Sequence, residues 1–177
     1  MAFFKDELKK IRAFIFDVDG VLSHQVMNLT PDGELIRTSC TKDGYALMYS
    51  IRKGYIVAVI SGGGAPGIGE RLEKLGIKQE DIYLKVANKV IALQEIMERY
   101  GLQAEEIMYM GDDIPDYTVM TMVGLPVCPL DACEEIKSVA RYISDAKGGE
   151  GCVRDVIAQV LKARGDWMDT TCYVRSM

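Results

Sequence analysis

Phe14-Ile15-Phe16-Asp17-Val18-Asp19-Gly20-Val21-Leu22 is the stretch that decides how this chain reads. Ile11 to Phe16, apolar without a break from Ala13 onward, read as a strand buried on both faces, as parallel strands are. Asp17 then falls at its carboxyl end, the edge where open α/β sheets build their ligand crevices. Gly20 lets the chain turn sharply at that point, so the carboxylates of Asp17 and Asp19 can converge. A pair of acids that merely caps a strand is the plain alternative, and the downstream sequence has to decide between the two.

Moving outward, strand-like runs alternate with helical periodicity. Ile56 to Ile60 are β-branched and end at Ser61-Gly62-Gly63-Gly64; the segment 66–75 carries Ile68, Leu72 and Leu75 in helical spacing, and Gly76 closes it. A short strand near Ile82 to Leu84 leads to Asn88, a fitting N-cap for a helix reaching Tyr100 with Ile91, Leu93, Ile96 and Met97 as its apolar stripe. Ile107 to Met110 form a further strand, followed by Gly111-Asp112-Asp113 and a helix to Met122. Strands at Leu125 to Cys128 and Tyr142-Ile143 and a helix from Val153 to Ala163 complete the series. Such alternation predicts one α/β domain spanning 1–177: a doubly wound, mainly parallel Rossmann-like sheet with helices on both faces.

One region breaks the pattern. Val26 to Arg37 read as two short strands around Pro31-Asp32-Gly33, a β-hairpin inserted at about 24–40. It is too small to be a cap domain. An exposed hairpin edge favours pairing with other copies of the chain, with an ordinary solvated hairpin as the alternative.

With 177 residues, 49% apolar, 27% charged and a net charge of −5, the chain is ordinary for a globular protein and disfavours nucleic acid as a partner. No apolar run is long enough to span a membrane, and the early lysines are unlike a signal peptide, so a cytoplasmic location is expected. Cys40, Cys128, Cys133, Cys152 and Cys172 form an odd set without a CxxC pair, which points to reduced thiols. The tail 165–177 is apolar enough to pack, with a neighbouring subunit as its expected partner.

Four features fall at strand ends in chain order: Asp17-x-Asp19, Ser61, Lys89 at a helix start, and Gly111-Asp112-Asp113-x-x-Asp116. Singly, Ser61 reads as a turn residue, Lys89 as a solvated charge and the later acids as a favourable first helical turn. Together they would gather in one crevice above the sheet.

This ordered set resembles the haloacid dehalogenase superfamily of aspartate-nucleophile phosphatases. The resemblance implies that Asp17 attacks phosphorus and that Asp19 serves the leaving group and then the hydrolytic water. It also implies a Mg²⁺ ion held by the Asp17 carboxylate, the Asp19 main-chain carbonyl and Asp112. Lys89, the Ser61 hydroxyl and the Gly62 amide would meet the phosphoryl group, with Asp113 and Asp116 in support. Thr41-Lys42-Asp43-Gly44-Tyr45 and Gly148-Gly149-Glu150-Gly151-Cys152-Val153-Arg154-Asp155-Val156 are similar to motifs of the capless 3-deoxy-D-manno-octulosonate 8-phosphate phosphatases of lipopolysaccharide precursor synthesis, which are homotetramers. By that resemblance Lys42, Asp43, Gly44 and Arg71 contact the sugar acid, and a neighbouring subunit covers the site. Gly63 and Met48 stand where relatives carry arginine. A nonulosonate 9-phosphate phosphatase therefore stays open as an alternative, as does a non-catalytic sugar-phosphate-binding scaffold.

Overall fold

The computed structural model describes residues 6–64 and 66–168. Strands β1 (Ala13–Phe16), β4 (Ile56–Ile60), β5 (Ile82–Tyr83), β6 (Ile107–Met110), β7 (Leu125–Cys128) and β8 (Tyr142–Ile143) form one sheet in the order β5-β4-β1-β6-β7-β8, and all five pairings are parallel. β1 lies at the centre, with Phe16 opposite Val59 on one side and Met110 on the other. Here the chain turns outward to β4 and β5 and later returns on the far side to β6. That reversal opens the crevice in which doubly wound folds bind ligands.

Among the described residues the sheet is covered by α1 (Thr41–Arg52), α2 (Pro66–Lys74), α3 (Lys89–Tyr100), α4 (Tyr117–Met122), α5 (Glu134–Val139) and α6 (Cys152–Arg164). Strand alternation sorts the two cores. Phe14, Phe16, Val57 and Val59 pack with α1, α2 and α6 on one face, while Ala13, Ile15, Ala58 and Ile60 pack with α3, α4 and α5 on the other. Both faces are therefore dry, which explains the uninterrupted apolar strands.

Most boundaries follow the sequence. Asn88 accepts the Val90 amide at 2.9 Å and caps α3, whose end is closed by Gly101 in the left-handed region. The stripe on α3 differs from expectation at Ile91, which is 54% exposed. The inward face is Lys89, Ala92, Leu93 and Ile96, because Lys89 must point into the crevice and a helix repeats that direction at i+3, i+4 and i+7. The segment after Asp113 is a 3₁₀ turn at Ile114–Asp116 before α4 begins.

The hairpin consists of β2 (Asn28–Leu29) and β3 (Leu35–Ile36), an antiparallel pair separate from the main sheet. Gly33, at φ +87°, makes the turn. Val26 is 89% exposed and Leu29 63%, an apolar surface facing away from the body of the subunit. Trp167 packs on Tyr49 of its own chain with ring centroids 5.4 Å apart, and Arg154 lies 4.8 Å above it. The remaining tail, 169–177, lies outside the described residues.

Candidate active site

The carboxyl ends of β1, β4, β5 and β6 surround a cavity of about 500 Å³ lined by Asp17, Ser61, Gly62, Lys89, Asp112 and Asp116, among others. They arrive from four strand ends. Asp17 follows β1 and Ser61 follows β4, where its amide donates to the Tyr83 carbonyl at 2.8 Å. Lys89 opens α3 after β5, and Asp112 follows β6.

Lys89 is the electrostatic hub. Its Nζ lies 2.8 Å from Asp17 Oδ2 and 2.7 Å from Asp116 Oδ1, and its side chain is only 7% exposed. Asp116 has little left to offer another ligand. Its Oδ1 also accepts the Tyr109 hydroxyl at 2.6 Å, and its Oδ2 accepts the Asp112 amide at 3.3 Å. Asp116 thus orients Lys89 and the strand-end loop.

Oxygens of Asp17, Asp112 and Asp116 lie within 4.8 Å of one another. One ammonium cannot neutralise three buried carboxylates. Burial, with repulsion from Asp116, outweighs Lys89 and pushes the Asp17 carboxyl up to about 7. Burial, with Asp17 and Asp116, pushes Asp112 up to about 7 as well. For Lys89, burial works against the charged form, yet Asp17 and Asp116 together overcome it and raise the ammonium above its usual value. Such a cluster of oxygens with surplus negative charge fits a hard divalent cation such as Mg²⁺. With Asp116 committed to protein donors, Asp17 and Asp112 are the carboxylates best placed to hold it.

Local backbone keeps these acids close. Asp17 Oδ1 accepts the Val18 amide at 2.6 Å. Gly20 sits at φ +83°, and a Cβ there would run into the Asp112 carboxylate, so both the turn and the approach require glycine. Ser61 is buried, and its Oγ accepts the Gly63 amide at 3.2 Å. Asp113 stands at the cavity rim and caps the 3₁₀ turn through the Ile114 amide at 2.9 Å.

Asp19 is held differently. Its two oxygens accept Arg37 Nε at 2.7 Å and Arg37 Nη2 at 2.8 Å, a bidentate fork from the hairpin. A second hairpin residue, Gln25, donates to Asp112 Oδ2 at 3.0 Å and to the Asp131 carbonyl at 2.9 Å. Neither residue was legible as part of the site, and neither was Tyr109, whose position inside an apolar strand reads as core.

Of the remaining sequence-derived residues, Lys42 is exposed and stands outside the main cavity. Asp43, Gly44 and Arg71 line a separate, much smaller cavity beside α1 and α2. Asp43 is 1% exposed; its Oδ1 accepts the Arg154 amide at 2.6 Å, tying α1 to α6, while burial raises its pKa. Arg71 approaches Gly44 so closely that a Cβ there would stand 3.1 Å from its Nη2.

Comparison with known proteins gives a consistent picture. A haloacid dehalogenase-like hydrolase family model matches residues 70–157. The chain is 35% identical over 157 residues to the 3-deoxy-D-manno-octulosonate 8-phosphate phosphatases of Salmonella typhi and Escherichia coli K12, covering 89% of this chain and 82% of each relative. The crystal structure of the phosphatase from Yersinia pestis superposes with a TM-score of 0.87 at 33% identity, over 92% of this chain and 86% of that one. The enzyme from Moraxella catarrhalis, in complex with magnesium ion, phosphate ion and KDO, superposes with a TM-score of 0.90 at 28% identity, over 99% of both chains.

Proposed function

Because the chain belongs to the 3-deoxy-D-manno-octulosonate 8-phosphate phosphatase family of haloacid dehalogenase-like hydrolases, we propose that its single domain, 1–177, hydrolyses that sugar-acid phosphate at the Asp17 crevice. The observation that carries the reading is the Asp17, Lys89, Asp112 and Asp116 cluster at the centre of the sheet. It supports a carboxylate nucleophile beside a fixed ammonium, in an acid-rich cavity that Ser61 and Gly62 also line.

In this reading Asp17 Oδ2 attacks phosphorus in line with the ester oxygen and becomes an aspartyl phosphate, while Asp19 protonates the departing sugar oxygen. Asp19 then takes a proton from water as that water displaces phosphate from Asp17. Lys89 lowers the cost of charge on the phosphoryl oxygens, and the Ser61 hydroxyl and Gly62 amide donate to them. Mg²⁺, held by the Asp17 and Asp112 carboxylates and the Asp19 carbonyl, would supply Lewis-acid neutralisation of the same oxygens. Asp113 and Asp116 fix the surroundings rather than react. Lys42, Asp43, Gly44 and Arg71 are assigned to the sugar end, Asp43 through the position of α1.

The exposed hairpin is proposed to pair with other copies in a cytoplasmic homotetramer, so that a neighbouring subunit covers the cavity. Gly63 and Met48 keep a nonulosonate 9-phosphate as the second substrate reading. Side-by-side turnover of octulosonate 8-phosphate and nonulosonate 9-phosphates with Mg²⁺ separates the two. Faster cleavage of simple hexose phosphates than of either would refute the sugar-acid reading.

A further inference from the structure

The cavity is rich in acids. Asp17, Asp19, Asp112, Asp113, Asp116 and Asp131 all line it, and Lys89 is the only cation lining it among the described residues. Lys89 is already shared between two carboxylates. A substrate that carries a carboxylate as well as a phosphate, as the proposed function requires, needs a second cation. A candidate is the Arg37 guanidinium, which is paired with the cavity-lining Asp19. The Arg37 side chain is 7% exposed, while that of Asp19 keeps 29% exposed toward the cavity.

Gly63 makes the room for this arrangement. A Cβ at 63 would stand 2.7 Å from Asp19 Oδ2 and 3.0 Å from Arg37 Nη2. The first is closer than a Cβ stands to a heavy atom and the second is tight, so a side chain at 63 would push on the ends of Asp19 and Arg37 and shift the fork. A planar fork that fits the Asp19 carboxylate fits a substrate carboxylate equally well.

We propose that Arg37 is a specificity-determining clamp: it holds Asp19 in the substrate-free enzyme and exchanges it for the carboxylate of the sugar acid. The exchange breaks two hydrogen bonds and forms two of the same kind. It frees Asp19 to take up a proton from solvent and turn toward the leaving oxygen only when the remote end of the correct substrate is in place. A phosphate ester without a carboxylate leaves the fork closed. Binding energy far from phosphorus is thereby spent on organising the reacting groups.

The test compares octulosonate 8-phosphate with a carboxylate-free alkyl phosphate, hexose 6-phosphate, in the wild type, Arg37→Gln and Arg37→Lys. Charge-assisted hydrogen bonds of this kind correspond to about 10- to 100-fold. Arg37→Gln is expected to lose that factor in kcat/KM on the sugar acid and to lose less on hexose phosphate, so that the ratio of the two falls by about 10-fold or more. Arg37→Lys, which keeps the charge without the fork, should fall between, and it reads the same ratio if the glutamine variant does not fold. Calorimetric titration with free octulosonate should show weakened binding in both variants. Equal losses on both substrates, or a preference that vanishes in Arg71→Gln but persists without Arg37, would overturn the clamp and leave the substrate reading standing. A wild type that prefers hexose phosphate would overturn both.

Discussion

Replacing Lys89 with methionine removes the ammonium while keeping most of the side-chain volume. At 2.8 Å and 2.7 Å, with an effective dielectric of ~20, its attraction to each of Asp17 and Asp116 is about 6 kcal/mol before desolvation is subtracted. Much of that gross figure is offset by the cost of burying the charges, and breaking buried pairs of this type costs about 3–5 kcal/mol net. The Mg²⁺-free variant should therefore melt well below the parent, with urea unfolding reporting a loss in that range. Added Mg²⁺ should recover part of the loss, because a second cation then faces the same carboxylates. Turnover should fall by about 10³-fold or more even at saturating Mg²⁺, since the phosphoryl oxygens lose a fixed positive charge. Lys74→Met is the control: this residue is 73% exposed beside Glu70, and its loss should stay within about 0.5 kcal/mol. A Lys89→Met enzyme that unfolds like the parent and keeps activity within tenfold would refute the placement of Lys89 at the centre of the site.

The carboxyls of Asp17 and Asp112, raised from 3.8 to about 7, fix a sign for pH. Between those values the folded Mg²⁺-free protein holds protons that the unfolded chain has released, so stability falls as pH rises through the window, and the full penalty stands above about pH 7. The melting-temperature gain on adding Mg²⁺ should be larger at pH ~8 than at pH ~5.5; an equal gain at both would contradict the cluster's role. Gly20→Ala imposes a side chain at φ +83° and against Asp112, so it should cost about 1–3 kcal/mol by chemical denaturation and weaken Mg²⁺ binding. Normal Mg²⁺ affinity in that variant would show that Asp112 is not held over the nucleophile loop. Leu29→Asp on the exposed hairpin should lower the native mass from that of a tetramer, and an unchanged mass would dismiss the hairpin as an assembly surface.

The strand ends were legible because parallel strands buried on both faces leave long apolar runs, and the acids that interrupt them stand out. β1 with Asp17 and β6 with Asp112 are of this kind. The Asp116–Lys89 partnership could be anticipated as an ordered motif, although its 2.7 Å contact spans 27 positions in sequence. Long-range side-chain reach was not legible. Arg37 and Gln25 sit in a polar hairpin where charge is the normal expectation, and only the folding of that hairpin back over β1 brings them to Asp19 and Asp112. Two helices also escaped. α1 holds Gly44 and a buried Asp43, which weaken its apolar periodicity, and α5 has only six residues, too few for a period to show.

Chemical trapping of the intermediate bears most directly on the central claim. Single-turnover reaction with Mg²⁺, rapid acid quench and borohydride reduction convert an aspartyl phosphate to homoserine, which peptide mass spectrometry locates. The account predicts homoserine at position 17 alone. Homoserine at position 19 or 112, or an unmodified position 17 after a full turnover quenched at its midpoint, would contradict it.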